Sequence, residues 1–269
     1  MTAATLTRPA TTAGRVTFPG ILRSEWTKLR TLRSTWWTAG TAVLVIVGIG
    51  LLIAADTASQ DVTPDAFEFS SSTLIGMVLA QLILAVLAAL TVTGEYGTGM
   101  IRSSMTVVPR RLPVLAAKAI VLSGFTAVLM LLTSVVTFVL AQLLSSSQGQ
   151  VAPSLGEGDV LRVVLGAPLT VVLTGLIALG LGTLIRSTAG AVATAVGLFF
   201  VVPIVTLFLP SGVRGFAPYL PTNAGGALTG QAIASTGDDL SAGVGIAVMA
   251  AWAVVVLVAA GWRLRRTDV

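Results

Sequence analysis

Six runs of about twenty mostly apolar residues alternate with short segments that collect the charges. The runs cover 36–55, 73–93, 119–143, 160–184, 188–209 and 242–262. At 1.5 Å per helical residue, each is long enough to cross a hydrocarbon core of about 30 Å. Five runs carry no charged side chain. The fourth carries Arg162 close to its start, where the side chain is expected to snorkel to the interface. A charge at a helix centre costs about 2.5–3.5 kcal/mol on insertion, so this emptiness predicts membrane spans.

Residues 17–35 have a different period. Phe18, Leu22, Trp26 and Leu29 recur at helical spacing, with Ile21 and Leu32 beside them, while Arg23, Lys28, Arg30 and Arg33 take much of the rest. This pattern predicts an amphipathic helix. It either lies in the interface or extends the first span, and the one-sided apolar face favours the interface. Trp26, Trp36 and Trp37, with Lys28, Arg30 and Arg33, are the expected interface anchors. Residues 1–16, rich in Thr and Ala, read as a disordered tail. The predicted fold is all-α: a transmembrane domain of six helices over 36–269, preceded by the amphipathic helix.

Composition supports the spans. The chain is 55% hydrophobic with 10% charged residues, against about 25% charged in a soluble domain. The first run is too long, and too far from the start, for a cleaved signal. Fourteen of the sixteen Lys and Arg residues fall on one side of a six-span chain, and eight of the eleven acids on the other. Cationic segments stay in the cytoplasm, so both termini and the connection 94–118 are predicted to be cytoplasmic. The high pI of about 10.7 then reflects topology and anionic membrane lipid, with no nucleic-acid partner.

Small residues line one face of the fifth run (Ala189, Ala193, Gly197) and one of the fourth (Ala178, Gly182), a pattern that permits close helix approach. Pro168 and Pro203 are expected to kink their helices. Gln81 is expected to bond to a neighbouring helix. Residues 210–241 form an unusually apolar outer connection. It either dips back toward the spans or is a plain glycine- and proline-rich loop.

Candidate chemistry is sparse. Without Cys or His there is no disulfide, thiolate catalyst, Cys/His zinc site or imidazole base. "GEYGTG" lacks the phosphate-loop spacing and follows a span. The predicted cytoplasmic acids, Glu25, Glu95 and Asp268, are far apart in sequence, and no acid lies within a span for an ion relay. The chain is therefore expected to be no enzyme and to have no energy source of its own. A transport permease fits first. A non-transporting membrane partner or sensor subunit is the alternative, and a membrane-embedded enzyme fits least.

The connection 94–118 stands out. It begins with Glu95 and Tyr96, turns at Gly97, Gly99 and Pro109, and carries Arg102, Arg110, Arg111 and Lys118. Ile101, Met105 and Val108 fall at i, i+4 and i+7, as on one face of a short helix. Charge retention plus a turn explains the basic residues; a docking surface explains the ordered apolar spacing as well.

Three features together resemble the membrane subunits of ABC type-2 exporters of the actinobacterial kind. They are "ILRSEWTKLRTLRSTWW" before the first span, "GEYGTGMIRSSMTVVPRRLPVLAAK" between the second and third, and six spans with a long last outer loop. The second glycine after Gly97-Thr98 departs from the family's usual turn. The resemblance implies pairing with a second copy or a sister permease in a bacterial plasma membrane. It implies docking of a separate ATP-binding subunit on 94–118 as a coupling element, with Glu95 and the basic residues bracing that element. ATP and Mg would be bound by the partner subunit, with no cofactor in this chain. The cargo expected is hydrophobic or amphipathic, as in efflux of drugs or antibiotics.

Overall fold

The computed structural model describes residues 17–59, 64–97, 111–150, 153–233 and 240–266, and among these the chain is helical with no strand. A short helix α1 (Phe18–Thr31) is followed by the first span, α2 (Arg33–Ala58). Helix α3 (Ala66–Thr73) leads into α4 (Gly76–Gly97). Then come α5 (Arg111–Ser147) and α6 (Gly158–Ile185). The fifth span is composite: α7 (Thr188–Val196), a π-helical turn (Gly197–Val201), and the single turn α8 (Val202–Thr206). A 3₁₀ segment (Ser211–Tyr219) and α9 (Pro221–Thr229) precede α10 (Ala242–Arg266). Six of these helical stretches are long and apolar enough to cross a membrane.

The apolar run predicted from 73 begins earlier as helix. Asp65 starts it, its carboxylate accepting from the Glu68 N–H at 2.7 Å, an N-cap that satisfies one orphan donor of the first turn. Helix α5 has 37 residues, about 55 Å at 1.5 Å per residue, so it projects beyond a hydrocarbon core of about 30 Å.

Helix α6 is the axis of the bundle, packed against α3, α4, α5, α7, α9 and α10. Its small residues make this possible. Ala178 and Gly182 are both buried, and a side chain on Gly182 would stand 3.1 Å from the Ala89 carbonyl of α4. The other small face points outward: Ala189 and Ala193 are exposed, and nothing lies near a Cβ built on Gly197. Gln81 of α4 donates to Thr174 of α6, the helix-to-helix bond expected of it.

Each proline inside a span frees a carbonyl four residues earlier. In both cases a hydroxyl from another helix takes it. Pro168 frees Val164, and Ser134 of α5 donates to that oxygen at 2.9 Å. Pro203 frees Phe199 within the π turn, and Thr222 of α9 donates to it at 2.7 Å. Such compensation is what makes proline tolerable in a span. Thr222→Val is expected to orphan the Phe199 carbonyl at a cost of about 1–3 kcal/mol, read as a lowered thermal unfolding temperature in detergent. An unchanged temperature would show that the bond contributes nothing.

The apolar connection after the fifth span packs back among the helices. In α9, Pro221 to Gly226, Leu228 and Thr229 are buried. Gly225 lies against Met249 and Thr170, about two turns into α10 and more than three into α6 at 3.6 residues per turn. Gly245 allows the approach of α10, since a Cβ there would strike the Ala224 carbonyl. Arg162 does not snorkel outward, as the sequence suggested. It donates to the carbonyls of Leu228 (3.1 Å) and Ala227 (2.6 Å) and lies over the Phe67 ring at 5.1 Å. The last carbonyls of a helix lack intrahelical partners and carry partial negative charge, so a buried helix end draws the guanidinium inward.

Candidate functional site: a four-charge clasp

Lys28 and Lys118 come together at one end of the bundle, where α1 meets the end of α4 and the start of α5. Leu32, extended at φ −76 and ψ 119, separates α1 from α2, so α1 is a helix of its own. The Trp36 indole donates to the Arg30 carbonyl at 2.9 Å across this elbow. Helix α1 buries Ile21, Glu25 and Leu29, one face at i, i+4 and i+8. Ile21 clusters with Val114 and Ala117 of α5.

Glu25 thus sits on an apolar face, and a carboxylate there requires compensation. Lys118 of α5 supplies it at 2.6 Å and also bonds Glu95 of α4 at 3.0 Å. Its third bond goes to the Thr91 carbonyl at 3.1 Å. Lys28 closes the arrangement, 2.7 Å from Glu25 and 2.9 Å from Glu95. Two carboxylates and two ammonium groups alternate around one ring. Three of the side chains are under 10% exposed, while Lys28 retains 28%. A cavity of about 340 Å³ adjoins the ring, walled by Leu29, Leu32, Leu90, Val121 and Leu122.

Burial alone would lower the Lys28 pKa, but the hydrogen bonds and charges of Glu25 and Glu95 outweigh it and raise the value above 10.5. A raised Lys pKa contributes stability that is complete below the unfolded value and is lost as pH rises through the folded one. The Lys28 contribution is therefore expected to be constant from about pH 6 to 9. The observable is the stability difference between the wild-type chain and Lys28→Met across that range. A difference that shrinks within it would refute the charge state assigned here.

The sequence-predicted residues divide clearly. Glu95 and Lys118 meet in the ring. Tyr96 lies beside it, its ring 5.5 Å from the Arg186 guanidinium, and Gly97 ends α4. Arg111 opens α5. Gly99, Ile101, Arg102, Met105, Pro109 and Arg110 lie outside the described residues. Among the proposed anchors, Trp26, Trp36 and Trp37 are exposed, as are Arg30 and Arg33, whereas Lys28 turns into the ring. In the sequence Glu25 stands as an isolated acid, yet in the structure it joins Glu95 through lysine partners up to 93 positions away. The signal for it was present: a carboxylate on the Ile21–Leu29 stripe. Among the described residues no group of three or more His, Cys, Asp or Glu is placed to hold a metal ion.

The ring can hold three helices in one register; its charges are mutually satisfied, leaving no obvious acid, base or nucleophile. It joins the two helices that bracket residues 98–110 to the segment ahead of the first span. The model of the ABC-2 family transporter protein matches residues 21–204, from α1 through most of the fifth span. The chain belongs to the ABC-2 transporter family. A comparison with curated proteins finds no match. The ABC-2 match and the six apolar helices make it a multi-pass membrane component of a transporter.

Proposed function

We propose that this ABC-2 protein is the permease subunit of an ATP-driven exporter. A second copy or a sister permease completes the path, and a separate subunit binds and hydrolyses ATP with Mg. The partner docks on 94–118 at the cytoplasmic face of a bacterial plasma membrane, and the cargo is hydrophobic or amphipathic. The observation that carries this reading is the ring of Glu25, Lys28, Glu95 and Lys118 at the roots of the 98–110 connection. A push on that connection is transmitted to α1, α4 and α5 as one body, because separating them would strand buried charges. The chain then needs no catalytic group of its own; it supplies the moving path, and the partner supplies the energy.

The test is purification in mild detergent from the native host with an ATP hydrolysis assay. The wild-type chain is expected to bring down magnesium-dependent ATPase activity. The triple variant Arg102→Glu, Arg110→Glu, Arg111→Glu is expected to lose most of it at equal membrane abundance. Retention of the full activity by the triple variant would reject 94–118 as the docking element.

A further inference from the structure

At the same end of the bundle, away from the ring, α5 and α10 leave an open groove of about 530 Å³, within the range of small-molecule clefts, about 300–1,000 Å³. Leu112, Leu115 and Ala116 form one wall, and Leu257, Val258 and Trp262 the other. Gly261 lies between them, buried, where a side chain would approach Leu112 at 3.1 Å. From Leu257 to Arg265 the groove runs about 12 Å at 1.5 Å per residue. Its deeper part is wholly apolar, and its rim is charged.

The rim decides the occupant. Arg265 lines the groove at its outer end, and among the described residues no acidic side chain lines it. The next guanidinium, Arg266, lies over the Trp262 ring at 4.1 Å. Trp and Arg at the end of a span mark the level of the lipid headgroups, and basic pockets between spans take anionic headgroups. We propose that this groove is a binding site for an anionic phospholipid. One acyl chain lies between α5 and α10, and the headgroup phosphate meets Arg265.

The arrangement is shaped for this ligand in two respects. The walls expose apolar surface that an acyl chain can fill along its length. The Arg265 guanidinium at the rim favours an anionic headgroup over a zwitterionic one, whose own ammonium would face it. The bound lipid would brace α5 against α10, and α5 carries Lys118. Lipid binding in this groove is independent of the cargo and of the ATPase partner.

The experiment is native mass spectrometry of the chain released from nanodiscs of equimolar phosphatidylglycerol and phosphatidylethanolamine. The wild-type chain is expected to retain a phosphatidylglycerol adduct with about a fivefold preference, the worth of roughly one basic residue at an anionic surface. Arg265→Gln, at an exposed position, is expected to keep an adduct but lose the preference. Ala116→Trp, which fills the groove, is expected to lose the adduct while its melting temperature without added lipid stays within a few degrees. Equal retention of both lipids by the wild-type chain overturns the proposal. So does a preference that survives Arg265→Gln, or an adduct unchanged in a folded Ala116→Trp chain.

Discussion

Lys118→Met is expected to destabilise the protein by about 3–5 kcal/mol, the cost of breaking a buried ion pair from one side. The Lys118 ammonium bonds Glu25, Glu95 and the Thr91 carbonyl together. Without it, two carboxylates less than 10% exposed share the single, partly exposed Lys28. Like charges at short range in a poorly solvated site repel strongly. Lys28→Met should cost less, because its end of the ring reaches water and solvent screens the loss.

The pairing itself is tested by combining substitutions. Glu25→Leu alone removes one acid and leaves Lys118 still bonded to Glu95. In Lys118→Met with Glu25→Leu, the remaining pair, Lys28 and Glu95, is neutral overall. The double variant should therefore be more stable than Lys118→Met alone, a coupling that independent sites would not show. Unfolding curves in one detergent suffice to read it. If Lys118→Met unfolds like the wild-type chain, or if the two costs simply add, the ring is not the unit described. A well-packed apolar replacement of all four groups should restore stability, since buried charges give little net stability over hydrophobic residues. On the reading proposed above, that same replacement should weaken transport, because register and transmission are then held by packing alone.

What the sequence could disclose depended on the kind of interaction. The spans were legible because lipid forbids unpaired charge, so five charge-free runs mark themselves. The helix ahead of α2 was legible from its period, though its docking on α5 was not. That contact needs Val114 and Ala117, two ordinary apolar residues in a run of many. The packed-in α9 was only half legible. Its apolar character was visible, but its position rests on Thr222 finding the carbonyl that Pro203 frees, a match between distant positions. Arg162 was misread for a related reason. Snorkelling is the rule for an isolated helix, and here the end of a second helix lay within reach. Glu95 and Lys118 were singled out by their place beside the glycine-punctuated connection. Glu25 was missed because it was weighed as a charge and not as a member of the Ile21–Leu29 face.

Labelling sites at the two ends of the bundle should fix the orientation of every helix. Contacts tie the helix ends together: Glu25 and Lys118 join α1 to α5, Arg186 lies over Tyr96 of α4, and Arg263 of α10 donates to the Leu184 carbonyl of α6. Whichever side holds one of these ends holds them all. Fourteen of the sixteen basic residues go with that side in a six-span chain, and moving them outward would oppose the strongest topological signal in membrane proteins. The chain has no cysteine, so an introduced thiol reports without background. Ser104→Cys is expected to resist a membrane-impermeant maleimide in intact cells and to react once the membrane is opened. Ser59→Cys and Ser147→Cys, at the opposite end, are expected to react in intact cells. The contrast is all or none, larger than any stability effect. The reverse pattern would place the ring and the 98–110 connection outside the cell, beyond the reach of an ATP-hydrolysing partner, and the exporter reading would fail on that ground alone.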